Sequence, residues 1–162
     1  MASPPGDLTT LLSKLASSGV EFVLVGGLAA VAQGAPITTH DVDIVPKRTP
    51  ENIDALLTVL ASMDARYRGR GEQVLRPTAG ALLGPGHSLL MTDLGPLDVL
   101  GAIEEGRAFA DLLSHSIEIN LGGHPVRILD LPTLVELKRN STHPKDRYTL
   151  LILEETLRMS GG

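Results

Sequence analysis

Hydrophobic residues recur along the chain at two spacings, which predict a mixture of helices and strands. Near the start, leucines spaced three or four residues apart form one face of a helix over residues 7–18. Asp7 can cap this helix and Gly19 ends it. The apolar run EFVLV that follows, at residues 21–25, predicts a short strand. A helix is therefore expected to lead directly into the first strand of a sheet.

Later segments repeat these two patterns. Further helices are predicted at residues 28–33, 50–63, 104–114, 130–140 and 142–160. Further strands are predicted at residues 41–45, 88–92, 96–100, 116–121 and 125–129, with hairpins around residues 93–95 and at Gly122-Gly123. Between residues 64 and 87, Arg, Gly and Pro interrupt the pattern, which leaves a short strand-like piece near 73–76 and a mobile loop. The fold class predicted is α+β, with a small mixed α/β sheet flanked by helices.

Length, charge and composition narrow the class of protein. The 162 residues fit one domain over residues 1–162, and the absence of cysteine excludes disulfides, thiol catalysis and thiolate metal sites. The first residues do not resemble a secretory signal, and the apolar runs are too short to cross a bilayer, so we expect a cytoplasmic protein with no membrane partner. A net charge of −5 and 2% aromatic residues argue against an extended nucleic-acid surface.

Any nucleic acid would therefore have to bind at a small basic patch. The candidate residues form two basic groups, Arg66, Arg68, Arg70 and Arg76, and then Lys138, Arg139, His143, Lys145 and Arg147. The first group could form a lid over a triphosphate or guide RNA, but a flexible Arg-rich loop more often belongs to the solvated surface, and the group is interpreted in that way.

Asp41 and Asp43 are the most informative residues of the sequence. Alternate side chains of a strand share a face, so the two carboxylates point to the same side of the sheet. Neighbouring carboxylates raise each other's pKa unless a cation or a donor compensates them, and oxygen ligands suit Mg²⁺ or Mn²⁺. The pair therefore predicts a metal site, although an acidic pair on an edge strand can also serve solubility.

Two further features extend this pattern. Gly26 and Gly27 form a turn from a strand into a helix, where free backbone N–H groups make a seat for an anion. Asp98 lies within the apolar strand PLDVLG, and a buried carboxylate needs a partner, which is either a shared metal or a hydrogen-bond donor. Acids and metals next to an anion seat are what phosphoryl or nucleotidyl transfer requires.

The arrangement of a Gly-Gly turn, an Asp-x-Asp strand and a third acid on a later strand resembles the nucleotidyltransferase superfamily that includes DNA polymerase beta. Within it, residues 26–45 resemble small bacterial nucleotidyltransferases related to abortive-infection toxins. The tail ILDLPTLVELKRNSTHPKDRYTLLIL is similar to theirs as well. The resemblance covers most of the chain and implies the nucleotidyltransferase fold with C-terminal helices.

The resemblance also assigns roles. It implies that Gly26 and Gly27 hold the triphosphate of an NTP, next to Thr39, and that Asp41, Asp43 and Asp98 form the catalytic and metal-binding set. In many relatives the third carboxylate is the general base. Lys138 and Asp146 match the family's nucleotide-contacting lysine and late aspartate. Independently, helical periodicity places both of these charges on apolar stripes, where they could instead form a structural ion pair.

The function expected is Mg²⁺- or Mn²⁺-dependent transfer of NMP from an NTP to a hydroxyl. The acceptor could be a tRNA end, a protein side chain or a small molecule, and the likeness to toxins weakly favours tRNA or protein and suggests a cognate antitoxin. Two positions depart from the relatives, because Ile37 stands where many have Arg and Gly27 where many have Ser. The alternatives are therefore a catalytically weak nucleotide-binding or protein-binding module on the same fold, and a purely structural domain with scattered acids.

Overall fold

The computed structural model describes residues 7–161. The α-helices in that range are α1 (Leu8–Ser17), α2 (Gly26–Ala32), α3 (Pro50–Ser62), α4 (Ala79–Leu83), α5 (Phe109–Leu113), α6 (Leu131–Arg139) and α7 (Pro144–Met159). The strands are β1 (Phe22–Val25), β2 (Val42–Pro46), β3 (Arg66–Tyr67), β4 (His87–Thr92), β5 (Gly95–Leu100), β6 (Ser116–Leu121) and β7 (His124–Leu129).

Local sequence signals explain where the longer helices begin. The side chain of Asp7 accepts a hydrogen bond from the Thr10 N–H at the start of α1, and Asp130 caps α6 in the same way. Thr49 caps α3, and Pro50 occupies the first turn of that helix, where its missing N–H costs nothing. These signals can be read from the sequence, and the corresponding helices were predicted within a few residues.

The strands form one seven-stranded mixed sheet in the order β3-β4-β5-β2-β1-β7-β6. At its centre β1 and β2 are antiparallel, whereas β2 pairs in parallel with β5, and β1 in parallel with β7. Val23 and Leu24 point to opposite faces of β1 and both are fully buried, so this strand is covered on both faces. The predicted mixed sheet flanked by helices is confirmed.

The register between β2 and β5 positions the site. Asp43 lies directly opposite Asp98 in this parallel pair, although the two residues are far apart along the chain. Neighbouring residues in register point to the same face of a sheet, so the pairing brings the two carboxylates together.

Two regions differ from the sequence prediction. The strand-like piece near residues 73–76 is not a strand, and the short strand of this region is β3, followed by α4 in the Gly/Pro-rich segment. The helix predicted at residues 104–114 is divided into a 3₁₀ turn at Glu104–Gly106 and the short α5. Glu105 has a positive φ of 64°, a conformation that interrupts a helix.

Within residues 7–161, none of the helices combines the length and the hydrophobicity that a bilayer crossing demands.

Candidate functional site

Three carboxylates converge where the first residues of β2 pair with β5. Asp41 lies just before β2, Asp43 lies within it, and Asp98 lies on β5. One oxygen from each of the three side chains can be chosen so that all three atoms lie within 4.8 Å of one another. This spacing allows a single divalent cation to contact all three residues.

Of the three carboxylates, Asp43 has the surroundings that stabilise a negative charge least. Its Oδ1 atom is buried and has no hydrogen-bond partner among the described residues. Burial, together with the neighbouring carboxylates of Asp41 and Asp98, raises the pKa of Asp43 to about 8. Burial and Asp98 also raise the pKa of Asp41. A buried acceptor without a donor, set among other acids, fits a metal ion better than it fits a structural hydrogen-bond network.

The glycine turn packs directly against this acidic group. Gly26 has a positive φ of 72°, which favours glycine, and a Cβ at this position would overlap the carboxylate of Asp43. At Gly27 a Cβ would lie 3.1 Å from Thr39 Oγ1, which is tighter than an ordinary contact. The Thr39 hydroxyl in turn donates to the carbonyl of Asp41 at 3.3 Å. Two glycines therefore allow the start of α2 to lie against the acids and the segment that leads into β2.

A cavity of about 430 Å³ opens from the glycine turn toward the two C-terminal helices. Its lining combines the glycine turn, two of the three acids, lysines of α6 and α7, and a histidine between these helices. The residues include Gly26, Gly27, Asp41, Asp43, Lys138, His143, Lys145 and Asp146. Ile37 also lines it. The cavity thus brings together carboxylates that suit a metal and ammonium groups that suit phosphates.

Lys138 and Asp146 form an ion pair at the wall of this cavity. Lys138 Nζ lies 3.0 Å from Asp146 Oδ1, and the Ser141 hydroxyl donates to Asp146 Oδ2 at 2.7 Å. The bond from Ser141, with a contribution from Lys138, holds the pKa of Asp146 below its usual value. The pair joins α6 to α7, as in the structural alternative left open by the sequence, and it also lies beside the acids.

Arg68 belongs to the site, although its contact with Asp98 was not predicted from the sequence. Its Nη2 donates to Asp98 Oδ1 at 2.7 Å, and its Nη1 donates to the Leu90 carbonyl at 2.7 Å. The interpretation of the first arginine group as solvated surface is wrong for this residue. The signal was missed because Arg68 follows a strand of only two residues, and the pairing of that strand with β4 is a long-range contact.

The structure therefore gathers the predicted residues into one region. Asp41, Asp43 and Asp98 lie together, Gly26 and Gly27 contact them or the adjoining loop, and Lys138 and Asp146 line the same cavity. Thr39 does not line this cavity but packs against Gly27. The roles of these residues in binding and catalysis stay predictions.

Comparison with solved structures finds the same fold in antibiotic-modifying enzymes. The lincosamide antibiotic adenylyltransferase LnuA, bound to lincomycin, superposes with a TM-score of 0.60 at 14% identity, over 92% of this chain and 95% of that one. ANT(2'')-Ia in complex with adenylyl-2''-tobramycin gives a TM-score of 0.58 at 15% identity, over 92% and 88% of the chains. A solution structure of ANT(2'')-Ia gives 0.57 at 16% identity, over 92% and 83%.

No model of a protein family matches the sequence, and no curated protein matches it. The identities to the solved structures are low, but the superpositions cover nearly the whole chain, so the chain has the nucleotidyltransferase fold that its motifs predicted. The narrower resemblance to abortive-infection proteins stays a prediction.

Proposed function

We propose that this protein is a divalent-metal-dependent nucleotidyltransferase that moves a nucleoside monophosphate from an NTP to a hydroxyl group. One observation carries the proposal: three carboxylates from two distant parts of the chain each offer an oxygen within 4.8 Å of the others, beside a glycine turn. The buried, unpaired Oδ1 atom of Asp43 supports it, because a cation is the partner that this atom lacks. The fold is consistent with the same chemistry.

In this proposal, Asp41 and Asp43 hold Mg²⁺ or Mn²⁺, with Asp98 as the third carboxylate. The metal would supply charge neutralisation for the phosphate oxygens and a lower pKa for the attacking hydroxyl. The residues of the chain bind and orient the substrates: backbone N–H groups at Gly26 and Gly27 face the triphosphate, and Lys138 contributes a positive charge from the cavity wall.

The reaction forms one bond and breaks one. The acceptor oxygen attacks the α-phosphorus of the NTP, the bond from that phosphorus to the bridging oxygen breaks, and pyrophosphate leaves. The proton of the acceptor hydroxyl passes to a carboxylate, for which Asp98 is the candidate, and then to solvent. No redox step or covalent enzyme intermediate is required.

We propose a small molecule as the acceptor. The net charge of −5 does not favour a polynucleotide. Two of the proteins with the same fold are named for antibiotics, one as a lincosamide adenylyltransferase and one as an antibiotic-resistance factor. ATP is accordingly the first nucleotide to test. The tRNA or protein acceptor and the antitoxin expected from the sequence find no support in these relatives.

The test is transfer of label from α-³²P-labelled NTPs with Mg²⁺, using panels of aminoglycosides and lincosamides, total tRNA and cell protein as acceptors. The proposal predicts label on a small hydroxyl compound, and predicts that Asp43→Asn abolishes it. Label on tRNA or protein would support nucleotidyl transfer but contradict the proposal of a small-molecule acceptor.

Binding of NTP with Mg²⁺ but transfer to none of these acceptors would favour the weak binding module. Ile37 is the observation behind that alternative, because it lines the cavity, and many members of the family that the sequence resembles have an arginine at this position. If no NTP binds by calorimetry and Asp43→Asn changes nothing, the proposed function is wrong.

A further inference from the structure

The contact between Arg68 and Asp98 places a fixed positive charge inside the acidic group. Asp98 retains 15% exposure of its side chain and Arg68 retains 27%, so this pair is more shielded than the ion pairs on the outer surface. The 2.7 Å distance is typical of a strong charge-assisted hydrogen bond. Asp98 therefore has a cationic partner without any metal.

The arginine is held in place from two further directions. Its backbone N–H donates to the Leu89 carbonyl at 3.0 Å, and its Nη1 donates to the Leu90 carbonyl at 2.7 Å. Both carbonyls belong to β4, which lies between β3 and β5 in the sheet. The guanidinium is thus anchored on the strand next to Asp98 instead of extending from a free loop.

The anchored guanidinium of Arg68 changes the net charge of the acidic group. With all three carboxylates ionised, as metal binding requires, they carry a charge of −3, and the guanidinium reduces the total to −2, which one divalent ion neutralises. A neutral side chain at position 68 would leave the full charge for the metal. Since Coulomb attraction grows with the charge on the ligands, the arginine lowers the affinity for a divalent ion.

We propose that Arg68 is an internal counter-ion of the acidic site, a positioning residue that holds Asp98 and weakens the binding of divalent metal in the absence of nucleotide. This inference rests on the proposed function, because it takes the three carboxylates as the metal ligands. Its consequence is a site that fills when a nucleotide brings additional negative charge, and that holds metal weakly between turnovers.

The test is calorimetric titration with Mg²⁺ at pH 9, without nucleotide, in buffers of two ionisation enthalpies so that released protons are counted. Arg68→Gln is expected to tighten Mg²⁺ binding about tenfold or more relative to the wild type. Arg68→Lys retains the charge and is expected to stay within about threefold of the wild type.

Arg66→Gln is the matched control. Arg66 is on the same short strand, but its ion pairs are with Asp64 and Asp93, so its loss should leave Mg²⁺ affinity unchanged. If Arg68→Gln is unfolded by circular dichroism, Arg68→Met is the second neutral variant, since it keeps the apolar part of the side chain. Loss of folding in both variants would contradict the proposal, because Arg68 would then be a structural residue.

The outcomes separate this inference from the proposed function. Unchanged or weaker Mg²⁺ binding by the neutral variants, or equal tightening by Arg68→Lys, would overturn the role of Arg68 while leaving the metal site intact. Tighter binding by the neutral variants alone supports it. Absence of Mg²⁺ binding in the wild type and in every variant would overturn both proposals.

Discussion

Asp43 is an acidic side chain whose surroundings oppose its own charge. Its pKa of about 8 results from burial and from two neighbouring carboxylates, and its Oδ1 atom lacks a partner among the described residues. When no cation is present, this arrangement destabilises the folded protein. Functional sites often carry such a cost. The sequence alone indicated the Asp41/Asp43 pair, because alternation along a strand is a local rule. It did not indicate how deeply Asp43 is buried, since that depends on the packing of Gly26.

The first prediction concerns the pH dependence of stability without metal. An unfolded aspartate ionises near pH 4, whereas folded Asp43 keeps its proton up to about pH 8, so the folded state binds more protons between these values. Its contribution to stability is therefore present below about pH 4 and is lost as the pH rises toward 8. In urea unfolding with EDTA, the free energy of unfolding should fall between pH 5 and pH 9.

In Asp43→Asn this fall should be smaller, by about 4 kcal/mol, and the variant should be more stable than the wild type at pH 9. Asp41 keeps its raised pKa in the variant, so part of the dependence remains. Parallel pH profiles for the two proteins would contradict this account of Asp43.

The second prediction concerns Gly26. Alanine at this position combines a positive φ with overlap of the Asp43 carboxylate, so Gly26→Ala should lower the free energy of unfolding by more than the strain alone. Gly19→Ala is the matched control, because Gly19 has a similar φ of 82° and open space around its Cβ position. Thermal unfolding should show a loss of about 1 kcal/mol for the control and clearly more for Gly26→Ala. Equal losses would show that the contact with Asp43 does not matter.

At the scale of the elements, α6 and α7 are joined by two ion pairs that differ in position. Lys138 and Asp146 meet at the cavity wall, whereas Arg139 and Glu154 meet at 2.8 Å on the exposed side. Helix periodicity predicted that Lys138 and Asp146 face inward, and both line the cavity. Whether their function is nucleotide binding or helix attachment could not be decided from spacing, because both functions need the same inward direction.

The third prediction separates these two functions with variants that each remove one of the two ion pairs. Lys138→Gln is expected to raise the KM for NTP about tenfold, which corresponds to about 1.4 kcal/mol of binding. Its effect on the free energy of unfolding should stay below about 1 kcal/mol, since the pair is partly exposed. Arg139→Gln removes an ion pair between the same two helices and should leave KM unchanged.

If Lys138→Gln lowers stability without a change in KM, the pair only attaches α7 to α6. Steady-state kinetics and urea unfolding on the two variants give both quantities. The same experiment shows whether α7 forms a wall of the nucleotide site or lies beside it.

At the scale of the whole molecule, the order of strands in the sheet brings residues together that are far apart along the chain. Asp98 meets Asp43 because β5 pairs in parallel with β2, and Arg68 meets Asp98 because β4 joins β3 to β5. The hairpin of β4 and β5 and the hairpin of β6 and β7 could be predicted from turns and alternation. The parallel pairings could not, because they depend on long-range contacts that leave no local signal. The resemblance to a known family implied only that Asp98 joins Asp41 and Asp43.

The same reasoning explains the two segments in which the predicted secondary structure was wrong. The segment around residues 64–87 has weak periodicity, and β3 exists only through its pairing with β4. The helix predicted at residues 104–114 has suitable composition, but the positive φ of Glu105 divides it. Both regions flank the site. There, the secondary structure that the local sequence favours differs from the structure that packing around the site requires.

The central claim is that Asp41, Asp43 and Asp98 form one divalent-metal site beside the glycine turn. Crystals grown with Mn²⁺ and a non-hydrolysable ATP analogue test it most directly, through the anomalous scattering of manganese. The account predicts a manganese peak in contact with the Asp41 and Asp43 carboxylates, with the triphosphate against Gly26 and Gly27. An analogue bound elsewhere, or manganese absent from these carboxylates while the nucleotide is in place, would contradict it.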